Sequence, residues 1–134
     1  MMVVVTGGSG SGKSAFAEDK IVSFGQGKRF YIATMHPYDE ESHRRVKRHQ
    51  NMRAGKGFET VECYTGLKNL EFPEESIVLL ECMSNLVANE MFEEAGAGEK
   101  TVEAVLEGVK KLKAQTRHLV IVTNEIFSEA ASYE

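Results

Sequence analysis

The stretch MVVVTGGSGSGKS, residues 2–14, carries the clearest indication of the fold of this chain. It opens with a β-branched run that stops at two glycines, and such a run predicts a buried parallel strand over residues 2–6. Residues 7–14 match the pattern GxxxxGK[ST] between that strand and a predicted helix, which is where a phosphate-binding loop lies. The alternative is a flexible Gly/Ser loop, but the strand and helix on either side favour phosphate binding.

The residue types of this motif suit the binding of a nucleotide. Glycines let successive backbone N–H groups point into one concavity, where they and the N-terminus of the following helix hold phosphate oxygens. Lys13 places a positive charge near the β and γ phosphates, and the hydroxyl of Ser14 is a ligand for Mg²⁺. The predicted phosphate-binding residues are Gly7, Gly8, Ser9, Gly10, Ser11, Gly12, Lys13 and Ser14.

Beyond this loop, strands and helices alternate along the chain. Such alternation is typical of an α/β fold, in which helices cover both faces of a mostly parallel sheet. In the last predicted helix we interpret Val102, Val105, Leu106, Val109 and Leu112 as one buried apolar stripe. We predict further strands at residues 29–34, 58–62, 76–81 and 118–123, and helices at residues 14–24, 39–53, 83–95 and 101–112.

The length and composition indicate one globular domain over residues 1–134. The chain has 134 residues, 42% hydrophobic and 27% charged, and this balance excludes the disordered and collagen-like classes.

The net charge of −4 argues against nucleic-acid or anionic-membrane partners, and the longest apolar run, residues 1–5, is too short to cross a membrane. Cys63 and Cys82 lack the spacing of a zinc site or disulfide scaffold, so we predict a cytoplasmic protein with reduced, buried thiols.

A basic segment, HRRVKRH at residues 43–49, is unusual in this acidic chain. One interpretation is the solvated face of a helix, or a small patch for nucleic acid. The other interpretation starts from His49, which shares a helix face with Val46 and Arg53 by i+3 and i+4 spacing. A histidine turned partly inward among cations favours the neutral, nucleophilic imidazole. The residues alone leave both interpretations open.

Glu62 and Glu81 each end a predicted strand and each precede a cysteine. The carboxyl ends of parallel strands line the ligand crevice of open sheets, so these carboxylates are candidates to meet Mg²⁺, a ribose or a base. The alternative is a charged residue that only terminates a strand. Glu125 has the same two interpretations, and His36 and His118 are weaker candidates.

Six motifs together resemble one known family. They are TGGSGSGKS after the first strand, YIAT at residues 31–34, RVKRHQ around His49, TVEC at residues 60–63, LLEC at residues 79–82 and VTNE at residues 122–125. In this order they resemble the bifunctional adenosylcobinamide kinase / adenosylcobinamide-phosphate guanylyltransferase of cobalamin biosynthesis. The phosphate-binding loop alone is shared with many families, whereas the RxxxH helix and the two Glu-Cys strand ends are more selective.

This resemblance implies a P-loop NTPase of RecA-like fold that forms a homotrimer and uses ATP or GTP with Mg²⁺. Its members phosphorylate the aminopropanol hydroxyl of adenosylcobinamide, then transfer GMP from GTP to that phosphate through a histidine–GMP phosphoramidate. The nucleophile corresponds to His49, the second histidine of the family's RxxHH pattern, and Arg48 stands where the family has the first. The family's nucleotide contacts outside the loop correspond to Thr34, Met35, His36, Gln50, Asn51, Met52, Arg53, Glu62 and Glu81.

The C-terminus departs from the family pattern. Family members continue past VTNE through another helix and further strands, so we expect this chain to be shortened or incomplete at its C-terminus. The alternative function is a generic P-loop small-molecule kinase or NTPase, in which His49 is structural and no covalent intermediate forms. A third class is a regulator that binds nucleic acid through the basic helix, and it predicts steeply salt-dependent binding.

Overall fold

The computed structural model describes residues 1–7, 12–36 and 39–124, without the side chains of Arg45 and Met52. Every strand and helix predicted from the sequence is present in this part of the chain, with ends that differ by up to a few residues. Two short 3-10 helices, Leu67–Asn69 and Gly98–Lys100, supplement them. The elements are β1 Met2–Gly7, α1 Lys13–Ser23, β2 Arg29–Ala33, α2 Glu40–Ala54, β3 Phe58–Glu62, β4 Ser76–Glu81, α3 Met83–Phe92, α4 Thr101–Gln115 and β5 Thr116–Asn124.

The strands form one sheet in the order β1-β5-β4-β2-β3, and all neighbouring strands are parallel. The carboxyl ends of the strands therefore meet at one edge of the sheet. Ala33 at the end of β2 pairs with Glu62 on one side and with Glu81 on the other. Gly7, from which the chain enters the phosphate-binding loop, pairs with Asn124. The prediction of a parallel α/β sheet of the P-loop type is confirmed.

Local signals determine where α1 and α2 begin. Gly12 precedes α1 with a φ of 82°, a left-handed conformation that glycine adopts without the steric cost of a Cβ atom. Asp39 caps α2, because its carboxylate accepts a hydrogen bond of 2.6 Å from the backbone N–H of Ser42. Glu40 and Glu41 in the first turn of α2 complement the helix dipole. Both helices thus begin within one residue of the predicted position.

Helices cover both faces of the sheet, as predicted, and each face has its own apolar core. We call the side packed against α3 and α4 the α3/α4 face, and the side that carries α1 and α2 the α1/α2 face. The core of the α3/α4 face consists of Phe30, Ile32, Cys63, Leu67, Val78, Leu80, Leu86, Val105, Leu112, Leu119 and Ile121. The core of the α1/α2 face consists of Ala17, Ile21, Tyr31, Phe58, Ile77, Leu79, Val120 and Val122.

The predicted apolar stripe of α4 is wrong at two of its five positions. Val102 and Leu106 are 70% and 53% exposed, whereas Val105 and Leu112 are buried. The buried face of α4 instead includes Gly108, where an added Cβ would lie 2.8 Å from the Cβ of Leu67. The close approach of the 3-10 helix at Gly108 sets the rotation of α4, so the two apolar side chains on the other side face solvent. None of the described helices is long and apolar enough to cross a membrane.

Candidate active site

A cavity of about 390 Å³ lies at the carboxyl ends of the strands, on the α1/α2 face. It brings together residues that are far apart in the chain, because the parallel strands all end at this edge. Eight of the side chains selected from the sequence line it: Lys13, Ser14, Thr34, Met35, His49, Arg53, Glu62 and Glu81.

The other selected residues divide into two groups. Gly7, Gly12, His36, Gln50, Asn51 and His118 are described by the structure but are not among the described residues that line the cavity. The rest lie outside the described part of the molecule: Gly8, Ser9, Gly10, Ser11, the side chain of Met52, and Glu125.

Glu81 is the central carboxylate of the cavity. One of its oxygens accepts a hydrogen bond from the hydroxyl of Ser14, in the first turn of α1. The other oxygen accepts a hydrogen bond of 2.8 Å from the hydroxyl of Tyr31 on β2. A serine from the phosphate-binding motif and a carboxylate from a strand end thus meet, as the strand-end argument predicts for a metal and phosphate site.

Arg53 lies over the ring of Tyr31. The guanidinium carbon is 3.5 Å from the ring centroid, which is cation–π geometry. Arg53 is only 6% exposed, and its Nε is buried without a hydrogen-bond partner among the described residues. A buried guanidinium with an unused donor is suited to an anionic ligand, because an unpaired buried donor costs free energy.

His49 lies one turn before Arg53 on α2 and lines the same cavity, as does Val46. The predicted helix face of Val46, His49 and Arg53 therefore points toward the phosphate-binding residues. The side chain of His49 is exposed, so the prediction that it turns partly inward is wrong. The imidazole is thus open to a ligand in the cavity.

Thr34 joins two strand ends beneath the cavity. Its hydroxyl donates to the carbonyl of Cys82 at 2.9 Å and accepts from the backbone N–H of Cys82 at 2.8 Å. The side-chain amide of Asn89 donates to the carbonyl of Thr34 at 2.8 Å. Thr34 is fully buried, so these bonds hold the end of β2 against the turn that follows β4.

His36 lies beside the cavity within a small polar cluster. Its Nε2 is 2.8 Å from a carboxylate oxygen of Glu93, and its ring stacks on Tyr64 with centroids 3.7 Å apart. Tyr64 lines the cavity, and burial together with the nearby carboxylate of Glu62 raises the pKa of its phenol. His36 thus supports the cavity wall through Tyr64.

A salt bridge links α1 to the turn after α2. The ammonium of Lys56 is 2.9 Å from a carboxylate oxygen of Glu18, and this hydrogen bond raises the pKa of Lys56. Arg29 donates to the carbonyls of Lys56 and Gly25, at 2.7 and 3.0 Å. The helix that carries Lys13 and the helix that carries His49 are therefore tied together at their C-terminal ends.

The donors in the cavity fit a hard divalent cation held largely by a nucleotide. Among the described residues, no group of three or more His, Cys, Asp or Glu side chains could enclose a metal ion. Mg²⁺ is commonly bound through one or two protein oxygens plus substrate phosphates and water. Ser14 and Glu81 present such oxygens next to Lys13, so the residues fit Mg²⁺ bound together with a triphosphate.

Comparison with known proteins identifies the family of this chain. The family model described as cobinamide kinase / cobinamide phosphate guanyltransferase (CobU) matches residues 3–132. The chain belongs to this family. It is 32% identical to the "Bifunctional adenosylcobalamin biosynthesis protein CobU" of Escherichia coli strain K12, over 94% of this chain and 76% of the relative. It is 33% identical to the protein of the same name from Salmonella typhimurium strain LT2, with the same coverage of both chains.

Membership of the CobU family establishes the enzyme class. The chain is a transferase of cobalamin biosynthesis with a cobinamide kinase and cobinamide phosphate guanyltransferase role. The resemblance drawn from the six sequence motifs is therefore confirmed. The cavity is the candidate site of this chemistry, because it contains the phosphate-binding side chains of the family pattern together with His49.

Sequence reasoning missed several residues that line the cavity. Tyr31 and Asn124 stand within the YIAT and VTNE motifs, but neither motif assigns them a role in the site. The alternation of β2 puts Tyr31 on the same face as Ala33 at the strand end, and this signal could have found it. No local pattern marks the other polar residues, because they reach the cavity from separate elements. These residues are Glu18, Ser42, Tyr64 and Asn85.

Proposed function

We propose that the protein phosphorylates adenosylcobinamide with ATP or GTP, then transfers GMP from GTP to the new phosphate through a covalent His49–GMP intermediate. The product is adenosylcobinamide-GDP, and pyrophosphate leaves in the guanylyl step. One observation carries this proposal: His49 lines the same cavity as Lys13 and Ser14. An imidazole and a triphosphate site that share a cavity can react without a large movement of the chain.

In the guanylyl step, an imidazole nitrogen of His49 attacks the α-phosphorus of GTP. The bond between that phosphorus and the bridging oxygen to the β-phosphate breaks, and its electrons leave with pyrophosphate. An oxygen of the substrate phosphate then attacks the same phosphorus and displaces the imidazole. Two displacements of this kind predict ping-pong kinetics for guanylyl transfer.

Charge in the cavity supports both halves of this step. Lys13 and the backbone of the phosphate-binding loop would stabilise negative charge on the leaving pyrophosphate. Ser14 and Glu81 would hold Mg²⁺, which when bound neutralises charge on the phosphates. The buried guanidinium of Arg53, one turn after His49, would contact an anionic oxygen of the nucleotide and orient it toward the imidazole.

The kinase step would use the same phosphate-binding residues without the imidazole. The aminopropanol hydroxyl attacks the γ-phosphorus, and the nucleoside diphosphate leaves while Lys13 and the loop stabilise its charge. The further nucleotide contacts that we propose by family position are Gly7, Gly8, Ser9, Gly10, Ser11, Gly12, Thr34, Met35, His36, Gln50, Asn51, Met52 and Glu62. Because the two reactions share one triphosphate site, each molecule would perform them one after the other.

We also propose a cytoplasmic homotrimer. The family resemblance supports the trimer, and Phe92 and Val102, which are 80% and 70% exposed, offer apolar surface that an interface between subunits would bury. The free thiols of Cys63 and Cys82 suit a reducing compartment.

The test is covalent labelling with GTP that carries ³²P at the α-phosphate. With Mg²⁺, the protein should retain label that is labile in acid and stable in base, as expected for a phosphoramidate. His49→Ala should lose this label by at least about a thousandfold, because no other group replaces the nucleophile.

His43→Ala is the matched control. His43 lies on the same helix and is exposed, but it is not among the described residues that line the cavity. This variant should label like the parent protein. Label that persists in His49→Ala, or that disappears equally in both variants, would overturn the assignment.

A further inference from the structure

Tyr31 touches two parts of the candidate site that belong to different elements. Its hydroxyl donates to Glu81 at 2.8 Å, and its ring lies 3.5 Å beneath the guanidinium carbon of Arg53. Glu81 in turn accepts from Ser14 through its other oxygen. One side chain thus connects the carboxylate beside the phosphate-binding serine to the cation one turn after His49.

The position of Tyr31 makes these contacts well defined. It lies on β2, between β3 and β4, and is 7% exposed, so its ring cannot change rotamer without disturbing the core of the α1/α2 face. Because the ring is held in place, the hydroxyl keeps the carboxylate of Glu81 as its acceptor.

Glu81 needs such a partner. Among the described residues, the only other hydrogen bond to its carboxylate comes from Ser14, and the proposed Mg²⁺ would take the oxygen of that hydroxyl. The bond from Tyr31 does not compete with the metal, because it occupies the opposite carboxylate oxygen. It would keep the carboxylate oriented when Ser14 turns to the cation.

Arg53 needs a support of a different kind. Its guanidinium is buried, and stacking on an aromatic face leaves the edge donors free for a ligand. The ring of Tyr31 therefore fixes the plane of the guanidinium without consuming its hydrogen bonds.

We propose that Tyr31 is a positioning residue that orients Glu81 for the metal through its hydroxyl and Arg53 for the nucleotide through its ring. This inference rests on the proposed roles of Glu81 and Arg53. The two contacts involve different atoms of one side chain, so two substitutions separate them. Tyr31→Phe removes the hydroxyl and keeps the ring, whereas Tyr31→Leu removes both.

The experiment measures three quantities for each variant. They are the Mg²⁺ concentration that gives half-maximal labelling from α-labelled GTP, the labelling rate at saturating Mg²⁺, and the binding of Mn²⁺ in the presence of GDP, followed by electron paramagnetic resonance. Tyr31→Phe should raise the half-saturating Mg²⁺ concentration and weaken Mn²⁺ binding about tenfold, with little change in the saturated rate. Tyr31→Leu should also lower the saturated rate about tenfold, because Arg53 loses its platform.

Tyr64→Phe is the matched control, because Tyr64 lines the same cavity but its phenol lies near Glu62 and has no hydrogen bond to Glu81. It should leave the Mg²⁺ dependence unchanged. A second check combines Tyr31→Phe with Glu81→Gln, and in that background loss of the hydroxyl should not weaken Mn²⁺ binding further.

Several outcomes would overturn the inference. These are an unchanged metal dependence in Tyr31→Phe, equal effects of Tyr31→Phe and Tyr64→Phe, or additive effects of the two substitutions at residues 31 and 81. Failure of the proposed function looks different, since the parent protein would then take up no label. In that case the Mn²⁺ binding data still decide whether Tyr31 orients Glu81.

Discussion

The same strands contribute side chains to both faces of the sheet, but only one face ends in polar residues that line the cavity. On the α3/α4 face, Val78 and Leu80 of β4 are fully buried in an apolar core that extends along the whole strand. On the α1/α2 face, Ile77 and Leu79 of the same strand are also buried, but the alternation ends at Glu81, which lines the cavity. The α3/α4 face is closed by apolar packing, whereas the α1/α2 face is apolar at one end and polar at the other.

The pleat of the sheet separates the residues that stabilise the fold from the residues that form the candidate site. Successive side chains of a strand point to opposite faces, so residues next to each other in sequence can belong to the core and to the site. Phe30 and Ile32 pack on the α3/α4 face, while Tyr31 between them contacts Glu81 and Arg53. Substitutions in the α3/α4 core should therefore change stability, whereas substitutions at the cavity should change activity.

The largest effect that tests this comparison is expected at Leu112. This residue of α4 is fully buried in the α3/α4 core, and Leu112→Ala should lower the free energy of unfolding by about 2–5 kcal/mol. The folded fraction should still label with GTP at the parent rate, because the cavity lies on the other face. Urea denaturation and labelling at low temperature measure the two quantities.

Leu106→Ala is the control for Leu112, since Leu106 lies on the same helix and is 53% exposed. It should change stability by no more than about 0.5 kcal/mol. The separation of the faces fails if both variants unfold at the same urea concentration, or if folded Leu112→Ala labels much more slowly than the parent.

The two cysteines test the same comparison with a smaller expected effect, because one packs in a core and the other lines the cavity. Cys63 packs in the α3/α4 core, and burial together with the charge of Glu90 raises the pKa of its thiol to about 11. At pH 8.5 its thiolate should be about a hundredfold scarcer than in an unfolded chain, so iodoacetamide should modify it at least that much more slowly. Cys82 lines the cavity instead.

Peptide mapping by mass spectrometry would follow both cysteines with and without Mg²⁺ and GTP. Bound nucleotide should slow the alkylation of Cys82 several-fold and leave the rate at Cys63 unchanged. The reverse pattern would contradict the assignment of the cavity to one face.

The smallest effect concerns the end of the α1/α2 face farthest from the cavity. His118 on β5 stacks on Phe24 with ring centroids 4.0 Å apart, and burial, followed by the positive charges of the N-terminus and Arg117, lowers its pKa. The fold thus favours the neutral imidazole, while the unfolded chain takes up a proton near the ordinary pKa of about 6.5. The stabilisation that the neutral imidazole of His118 provides is complete above that pH, and it is lost as the pH falls through the lower pKa of the folded state.

Urea unfolding at pH 7.5 and at pH 5 measures this contribution. His118→Gln should lose less stability between the two pH values than the parent does, and His43→Gln, at an exposed position, should behave like the parent. An equal loss in His118→Gln and the parent would show that His118 does not respond to pH in this way.

Much of the fold was predictable because the local signals agree with the tertiary arrangement. The strand that enters the phosphate-binding motif, the capping Asp39 and the apolar run that ends at Glu81 each carry their own pattern. The prediction failed at Val102 and Leu106, since helical spacing alone could not show that the backbone at Gly108 packs against Leu67. Hydrophobicity identifies an apolar residue, but packing decides whether it is buried.

The candidate site was predictable in part for the same reason. Lys13, Ser14, His49 and Glu81 belong to motifs, so they could be selected before the structure was known. Tyr31 also belongs to a motif, YIAT, but the motif could not show its role, because that role comes from contacts with residues 50 and 22 positions away in the chain.

Local patterns of residue type were enough to predict the order of strands and helices along the chain, the phosphate-binding motif and the family. They could not show that the helix of His49 and Arg53 faces the residues that follow β1, or that Tyr31 joins Arg53 to Glu81. These contacts arise in the folded molecule, because crossover connections bring all the strand ends to one edge of the sheet. Which side chains then touch depends on long-range packing, so no local sequence pattern predicts these contacts.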